Sequence, residues 1–498
     1  MPHAMGLMHF LVPDRSFLAE ESLATAHMTG MDGIPWSCRV VATGNGLMID
    51  RPAGDSGNFH IPWIVAGHGT ITLTTTSLME RMRPYVLPVE LARGTLNRLR
   101  NHTSAWQSLG MTIPPELAAE IGLAQRAFSL AAAGQANVAE AAAKAQESLR
   151  HALAAIDLLC GSYAVQALDA RHHQTPRLTT LFGVRLDHET LEASPAQAIL
   201  PAFNAVQTSV SWARLEPEDG RWDWRIADAQ IQWCVAQGYR VAAGPIFEPS
   251  LSSLPQWIYL WENDLDRLLG FVTRQVEQVV SRYAGHVHLW HAAAGANIAD
   301  PLPIGDDSKL RLMLTAVETV RRMDAKTPLV VSFDQPWGER VIREQCEMSS
   351  LHFADALIRA DLGVAGLGVE INLGYASEGT LPRDAIAINQ QIDRWSMFGL
   401  PLIVMLTAPS AAGEDPSALA KCKPMGGRGG VPDLGSQCEV AQRLVPLLLA
   451  KQSVQGIFWN QLSDARPHDF PHGGLIDAQG NIKPVVGALA AIRQQHLV

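Results

Sequence analysis

The chain has 498 residues, of which 47% are hydrophobic and 18% are charged. This composition supplies large buried cores and differs from that of a disordered chain. The formal net charge is −10, and an acidic surface attracts neither nucleic acid nor anionic lipid, so we expect neither nucleic acid nor a membrane as the main partner. At about 150 residues per domain, the length predicts two or three domains.

The six cysteines are scattered, with neither CxxC spacing nor a Cys/His pattern. We therefore expect free thiols, no metal centre and no cofactor. The first residues show no charged start followed by a sustained apolar run, and no stretch of 18 apolar residues follows elsewhere. The expected location is the cytoplasm.

Residues 1–87 predict a small β-rich domain with a sandwich-like fold. Short β-type runs at 38–42, 47–49, 58–65 and 70–76 are separated by Gly- and Pro-rich turns. Four side chains in this region fit either of two roles, a platform for a sugar or the core of the sheet. They are Trp36, Asn58, His60 and Trp63.

Residues 88–175 predict a helical region, because apolar residues recur at helical spacing over 89–109, 114–133 and 138–170. Pro114 and Pro115 open the second helix, where the fixed φ of proline suits the first turn. Such helices form a hairpin or bundle that packs on a neighbouring domain or on a second subunit. We therefore expect either packing on a neighbouring domain or a homodimer formed through this region.

Residues 176–498 alternate strand and helix eight times, which predicts a closed (β/α)₈ TIM barrel of the α/β class. The strands are almost continuously apolar, as in parallel sheets that are buried on both faces. The predicted strands are 180–186, 206–212, 240–247, 287–292, 329–333, 364–370, 402–407 and 456–460.

A series of short motifs follows the barrel. In chain order they are FNAV at 203–206, Trp212, EPEDGRWDW at 216–224, PQW at 255–257, RYAGHV at 282–287, Trp290, GLPL at 399–402, GIFW at 456–459, GGLID at 473–477 and KP at 483–484. Their order and spacing resemble the family-10 glycoside hydrolases, which are endo-1,4-β-xylanase-like. The resemblance implies a barrel that acts on a β-linked polysaccharide or oligosaccharide such as xylan.

The catalytic positions of that family are not matched here. Retaining glycosidases use two carboxyl groups about 5–5.5 Å apart. In the family, glutamates that end the fourth and seventh strands supply them, and the matching positions here are Gly295 and Leu406. No Asp or Glu occurs in 290–299 or 401–413. Hydrolysis is therefore carried out by relocated carboxylates or is absent.

Side chains at the carboxyl ends of barrel strands face the active site. This rule nominates Glu248 after the third strand and Glu370 at the end of the sixth as catalytic groups, because an apolar pocket raises a carboxyl pKa as a general acid requires. The alternative is that either glutamate is solvated or paired with an arginine. The two strands lie across the barrel from each other, a separation that suits an inverting pair.

The same rule and the family resemblance nominate substrate-binding residues. His291 is either a ligand contact or a hydrogen-bonded spacer, and Trp459 matches a family tryptophan that floors the sugar site. The full set is Trp212, Trp290, His291, Asp334, Asn372, Trp459 and Asn460, with Asp464, His468, Asp469 and His472 in the last loop.

Two loop features complete the sequence-based picture. His468 and His472 have a spacing that holds a metal on a helix, but Pro471 makes this segment a loop, so no metal is expected. The long segment 409–437 after the seventh strand is typical of a mobile cover over a barrel mouth.

Three functions remain open. The first is a glycoside hydrolase with relocated carboxylates. The second is a non-catalytic barrel that binds or senses glycan, and the third is a barrel reassigned to assembly through its helical region. An oligosaccharide or polysaccharide is the expected partner in the first two. Fold alone does not decide among them.

Overall fold

The structure, a computed structural model, describes residues 6–19, 21–52, 54–189, 191, 195–298, 302–344, 346, 348–427 and 429–498. The chain begins with two four-stranded sheets, and the four strands predicted there are all present. One sheet has the strand order Arg39–Thr43, Gly46–Asp50, Met8–Leu11 and Tyr85–Val86, and the other has the order Pro35–Trp36, His27–Thr29, Gly57–Val65 and Gly69–Leu78.

The two sheets share one core. Phe10 from the first sheet stacks on Phe59 from the second, with ring centroids 5.1 Å apart. Trp63 is fully buried in the same core. This side chain is therefore part of the core and not of a sugar-binding platform. His60 lies between Thr29 and Thr74 and is hydrogen-bonded to both hydroxyl groups, at 2.9 and 3.0 Å.

Three long helices follow, and they confirm the predicted helical pattern. They are Leu87–Ser108, Pro115–Ala133 and Val138–Gln174. The first lies against the strand Gly69–Leu78 and approaches it closely at Gly94, where a Cβ atom would lie only 2.0 Å from the carbonyl oxygen of Thr74. The second and third form an antiparallel hairpin.

By length and composition alone, the helix Val138–Gln174 is apolar enough to cross a membrane. Its buried residues, among them Leu149, Leu153 and Ile156, pack in the core that the helices share with the sheets. A long helix that is buried in a protein core meets the same criteria of length and composition. Leu123, Leu130 and Val165 are exposed on the hairpin, and a homodimer through this region stays a prediction.

The remainder of the chain is a closed parallel barrel, as the sequence predicted. All eight predicted strands are present, and each pairs with its neighbours in chain order until the eighth closes on the first. The strands are Leu181–Arg185, Ala205–Thr208, Arg240–Ala243, Leu289–Ala293, Leu329–Asp334, Gly366–Asn372, Leu402–Thr407 and Val454–Trp459.

Helices surround the barrel. Those of at least ten residues are Arg225–Ala236, Leu265–Tyr283, Asp306–Met323, Ser350–Arg359, Ala385–Ser396, Leu434–Leu449 and Val485–His496. Shorter helical turns are Ser22–Thr25 near the start of the chain and Ala196–Ile199, Trp212–Leu215 and Glu339–Glu344 in the barrel, and a two-residue strand pair joins Tyr375–Ala376 to Lys423–Pro424.

The barrel strands alternate between two environments. One set of side chains packs between strands and helices in the largest core of the protein. The other set points into the barrel, where the lower layers are filled by Ala205, Ala242, Leu289, Val330, Ile403, Met405 and Phe458. Above these apolar layers, the inward side chains become polar.

The N-terminal sheets and helices pack on the barrel. Arg98 makes a bidentate ion pair with Asp384, at 2.7 and 3.1 Å, and Asp384 also caps the helix Ala385–Ser396. Arg443 contacts Asp157 of the long helix at 3.1 Å. Leu447 of the barrel belongs to the N-terminal core. The division into units 1–87, 88–175 and 176–498 stays a prediction, while the sheets, helices and barrel clearly share buried surface.

Candidate active site

A cavity of about 420 Å³ opens at the carboxyl ends of the barrel strands. This is the end at which barrel enzymes carry their sites. Five carboxyl groups and two guanidinium groups line it, together with amides, hydroxyls and a few apolar side chains. The lining residues are Arg185, Glu248, Ser250, Leu251, Ser252, Tyr259, Gly295, Ile298, Asp334, Gln335, Arg343, Glu370, Glu378, Leu419, Ala420, Asn460, Asp469 and Phe470.

Glu248 is held at one side of this cavity by an ion pair. The guanidinium of Arg185, the last residue of the first barrel strand, lies 3.0 Å from its carboxylate. The hydroxyl of Ser253 donates to the same carboxylate oxygen at 2.8 Å. Burial alone would lower the pKa of Arg185, but the negative charges of Glu248, Asp469 and Glu370 raise it instead. The alternative of an arginine-paired glutamate therefore describes Glu248.

Glu370 sits deeper, on the sixth strand. The hydroxyl of Ser332 donates to one carboxyl oxygen at 2.5 Å, and the side-chain amide of Asn460 donates to the other at 3.2 Å. Burial raises the pKa of Glu370, and the negative charge of Glu248 raises it further against the opposing effects of Ser332 and Arg185. Asn460 also donates to Asn372, which is fully buried beside Glu370.

Asp334 is the register partner of Glu370 on the adjacent strand. Parallel neighbours in register point their side chains to the same side, so the two carboxyl groups lie next to each other. Burial, followed by the charge of Glu370, raises the pKa of Asp334 well above its usual value. The backbone N–H of Gln335 donates to Asp334 at 2.6 Å.

His291 lies beneath the cavity in a hydrogen-bonded chain. Its Nε2 is 2.8 Å from the hydroxyl of Ser332, and its Nδ1 is 3.2 Å from the side-chain nitrogen of Gln207. Burial lowers the pKa of His291 to about 3, so the imidazole is neutral at neutral pH. A neutral ring that accepts from Gln207 and donates to Ser332 orients the hydroxyl toward Glu370.

The last loop divides into two parts. Asp469 lines the cavity and accepts from the hydroxyl of Ser252 at 3.1 Å; burial and then the charge of Glu248 raise its pKa. Asp464 instead belongs to a neighbouring buried cluster and pairs with Lys483 at 2.5 Å.

In that cluster, the imidazole of His468 contacts Asp415 at 3.0 Å, and the backbone N–H of His472 donates to Asp415 at 2.9 Å. One ligand atom each of Asp415, Asp464 and His468 lies within 4.8 Å of the others. The ammonium of Lys483 already supplies a cation there, also donating to Ser410 at 2.8 Å. This arrangement gives no reason to add a metal ion.

The three tryptophans nominated from the sequence do not line the cavity. Trp212 lies beyond the second strand, which ends at Thr208, and its indole N–H donates to buried Glu216 at 2.8 Å. Trp290 faces the helical layer, where its indole N–H donates to Asp324 at 3.0 Å. Trp459 is buried and donates to the carbonyl of Gly473 at 2.9 Å. Each of the three indole N–H groups therefore already has an acceptor within the protein.

Gly295 and Leu406, the positions matched to the family's catalytic glutamates, differ in setting. Leu406 is buried in the core between strands and helices. Gly295 lines the cavity, and a Cβ atom at this position would lie 4.0 Å from Cγ of Glu248. The carboxylate of Glu248 is therefore next to the position that Gly295 leaves empty.

The segment after the seventh strand forms part of the cavity wall. Leu419 and Ala420 line the cavity, and their backbone N–H groups donate to the carbonyl oxygens of His468 and Asp469 at 2.8 and 3.1 Å. Its Gly-rich end approaches the N-terminal sheet, where a Cβ on Gly69 would meet a backbone carbonyl. Movement of this segment as a cover stays a prediction.

Solved structures similar to this chain are xylanases. Xylanase 10B from Thermotoga maritima is 16% identical, with a TM-score of 0.48, over 67% of this chain and 97% of that chain. Xylanase 10B from Thermotoga petrophila RKU-1, in complex with xylobiose, has 16% identity, a TM-score of 0.49 and coverage of 67% and 96%. Xylanase B from Clostridium stercorarium F9 has 16% identity, a TM-score of 0.45 and coverage of 65% and 98%.

The family resemblance read from the sequence names the same group of proteins. No family model matches the sequence. Similarity this distant describes the barrel and carries no conclusion about activity, so the functional argument rests on the cavity.

Arg185 and Gln335 are among the cavity residues that were not predicted from the sequence. Arg185 ends the first strand with the same parity as Leu181 and Gly183, so the strand-end rule applied to that strand would have found it. Gln335 has a φ of 51°, in the left-handed region that few non-glycine residues adopt. No pattern in the sequence announces that conformation.

Proposed function

We propose that this protein is a carbohydrate-active barrel that binds a saccharide in the cavity and hydrolyses a glycosidic bond with Glu370 as the general acid and Glu248 as the general base. One observation carries the proposal. Two carboxyl groups from different strand ends line one cavity, one ion-paired with an arginine and the other buried with a raised pKa, and glycosidases use two carboxyl groups in different environments as acid and base.

Glu370 has the setting of a proton donor. Its raised pKa keeps a proton on the carboxyl group at a higher pH than a solvated glutamate would. In the proposed step, that proton passes to the glycosidic oxygen as its bond to the anomeric carbon breaks. The chain Gln207–His291–Ser332 positions Glu370 through the Ser332 hydroxyl.

Glu248 has the setting of a proton acceptor. Its ion pair with Arg185 and its hydrogen bond from Ser253 hold its carboxyl group at the cavity wall. A water molecule between Glu248 and the anomeric carbon would lose one proton to Glu248 as its oxygen bonds to that carbon. The two products are then a reducing sugar and the released alcohol, with inverted configuration.

A silent glycan-binding or sensing barrel is the second candidate. The observation that favours it is that every carboxyl oxygen of Glu370 and the carboxylate of Glu248 are already engaged by Ser332, Asn460 and Arg185. A pair locked in this way binds a saccharide without moving protons.

The two candidates are separated by assaying hydrolysis and binding on the same proteins. β-Linked xylo-, gluco- and manno-oligosaccharides are incubated with the wild type and with Glu370→Gln, Glu248→Gln and Glu378→Gln. Glu378 is the matched control, because it also lines the cavity but is only half-buried and accepts from the backbone N–H of Lys421. Product release and the ligand-induced shift in melting temperature are both recorded.

For the hydrolase, we expect the Glu370 and Glu248 variants to lose at least about 100-fold in rate while Glu378→Gln keeps its activity. The Glu370 variant should regain rate on aryl glycosides, whose leaving groups need no proton. A shift in melting temperature without product from any protein supports the silent barrel instead. If neither product nor a shift in melting temperature is observed, a carbohydrate function is contradicted.

A further inference from the structure

One wall of the cavity is built from oxygen acceptors on adjacent strands. Asp334 and Glu370 are neighbours in register on the fifth and sixth strands, with their side chains on the same side. Gln335 follows Asp334 and also lines the cavity. Its positive φ of 51° is a strained conformation for a residue with a side chain and is commonly found at ligand sites.

Glu370 already accepts from Ser332 and Asn460. Asp334, in contrast, accepts from the backbone N–H of Gln335 but has no cationic partner among the described residues. Within the ranges that the structure describes, no lysine or arginine lies at ion-pair distance from Asp334, which is only 4% exposed. Oε1 of Gln335 is buried and has no hydrogen-bond partner in the same part of the chain. A buried acceptor without a donor is unfavourable, so a ligand that supplies donors would be stabilised at this wall.

The two arginines of the cavity do not meet this need. Arg185 is paired with Glu248, and Arg343 is paired with Glu344 at 3.1 Å and donates to the carbonyl of Ser377. Five carboxyl groups therefore face two arginines that already have partners. What the wall lacks is a small cation with several N–H donors.

We propose that Asp334 and Gln335 of this wall bind a primary ammonium group, so that the preferred saccharide carries an unacetylated amino sugar. This inference rests on the proposed function, because it assumes that the cavity holds a saccharide. An ammonium offers three donors and a positive charge to the carboxyl group of Asp334 and the amide oxygen of Gln335. A hydroxyl offers one donor and no charge, and a uronate is repelled.

The test compares three β-1,4-linked trisaccharides of the same backbone, built from glucosamine, glucose or N-acetylglucosamine. Their affinities are measured by calorimetry at pH 6.5, where the amine is largely protonated. We expect the glucosamine trimer to bind at least tenfold more tightly than the other two. Raising the salt concentration should shrink this preference, because part of it is electrostatic.

Asp334→Asn keeps the shape of the side chain and removes the carboxyl group that can ionise and pair with an ammonium. The variant should reduce the ratio of affinities for the glucosamine and glucose trimers by at least tenfold. Glu318→Gln, which removes a carboxyl group from the exposed side of the helix Asp306–Met323 outside the cavity, should leave that ratio within threefold of the wild type. The wild-type ratio and its salt dependence remain informative if Asp334→Asn does not fold.

The failures are distinguishable. Equal or tighter binding of the glucose trimer overturns the amino-sugar inference and leaves the proposed function in place. Absence of binding by every neutral and aminated saccharide overturns both. Stabilisation by Mg²⁺ or Ca²⁺ alone, without any preference for the amine, also overturns the inference, because the wall would then be a metal site.

Discussion

Arg185 holds the carboxyl groups of the cavity together at the level of single residues. Its guanidinium pairs with Glu248, and the charges of Asp469 and Glu370 also act on it. Glu248 is mostly buried, with 14% of its side chain exposed. Removal of one partner from a buried pair costs more than the pair contributes, because the remaining charge is left without compensation.

Arg185→Gln should therefore lower the free energy of unfolding by roughly 3 kcal/mol. Urea denaturation at pH 7 measures this change. Arg221→Gln is the control, because Arg221 pairs with Glu218 at 3.2 Å on the open surface, where such pairs contribute about 0–1 kcal/mol. Equal effects of the two substitutions would contradict the buried pair.

The raised pKa of Asp334 gives a second prediction at this scale. Because the folded-state pKa lies above the unfolded one, the folded protein binds more protons between the two values, and stability falls as the pH rises through that window. The charged or titratable groups around Asp334 are Glu370, Glu339, Arg185, Glu248, Asp469, Arg343 and Glu378.

Asp334→Asn removes this proton linkage. The variant should gain at least about 1 kcal/mol relative to the wild type as the pH rises from about 5 to about 8. Unfolding in urea at several pH values tests the prediction. His291 titrates in the opposite sense, with a folded pKa of about 3, and its contribution cancels in the difference between the two proteins. A constant difference across the pH range would contradict the account.

The sequence located part of the site at residue scale. Glu248, Asp334, Glu370 and Asn460 all line the cavity, as the rule for strand ends anticipated. The tryptophans were misplaced because the rule needs both the end of a strand and the parity of its side chains. The second strand ends four residues before Trp212, a boundary that no glycine or proline marks within the predicted strand 206–212.

At the scale of elements, Asp384 connects two parts of the chain. It caps the helix Ala385–Ser396 by accepting from the N–H of Ala387 at 2.9 Å, and it forms the buried ion pair with Arg98. The same residue thus starts a barrel helix and fixes the first long helix against it.

Asp384→Ala should cost about 4 kcal/mol, because it removes a cap and leaves Arg98 without its partner. Asp264→Ala is the matched control. Asp264 caps the helix Leu265–Tyr283 in the same way but pairs with Arg267 on the surface, so its loss should cost about 1 kcal/mol. Thermal and urea unfolding compare them, and similar costs would argue against a firm interface.

The helices and strands were easier to predict from the sequence than the residues of the cavity. The periodicity of apolar residues gave all eight barrel strands and the three N-terminal helices, since both signals are local. The strands Met8–Leu11 and Tyr85–Val86 were missed. They are short, and their pairing with each other is set by contacts between residues more than 70 positions apart, which no local pattern records.

On the scale of the whole molecule, the N-terminal sheets and helices share buried surface with the barrel. Leu447 of a barrel helix lies in the same core as Leu149 and Ile156 of the long N-terminal helix. Elements that share a core unfold together. A substitution that weakens packing on the barrel side should therefore also destabilise the first 175 residues.

Leu447→Ala should lower stability by about 2–4 kcal/mol and speed amide hydrogen exchange in the helix Val138–Gln174. Hydrogen exchange followed by mass spectrometry measures the effect along the chain. Leu260→Ala, at a side chain that is 80% exposed, is the control and should leave exchange unchanged. Faster exchange confined to the barrel would show that the two parts unfold independently.

Glu370 and Glu248 are proposed to be a relocated acid and base. The most direct measurement is product release from β-linked oligosaccharides by the wild type, Glu370→Gln, Glu248→Gln and Glu378→Gln under one set of conditions. We predict turnover by the wild type and Glu378→Gln and its loss in the other two. Turnover that survives in both Glu370→Gln and Glu248→Gln would contradict the claim.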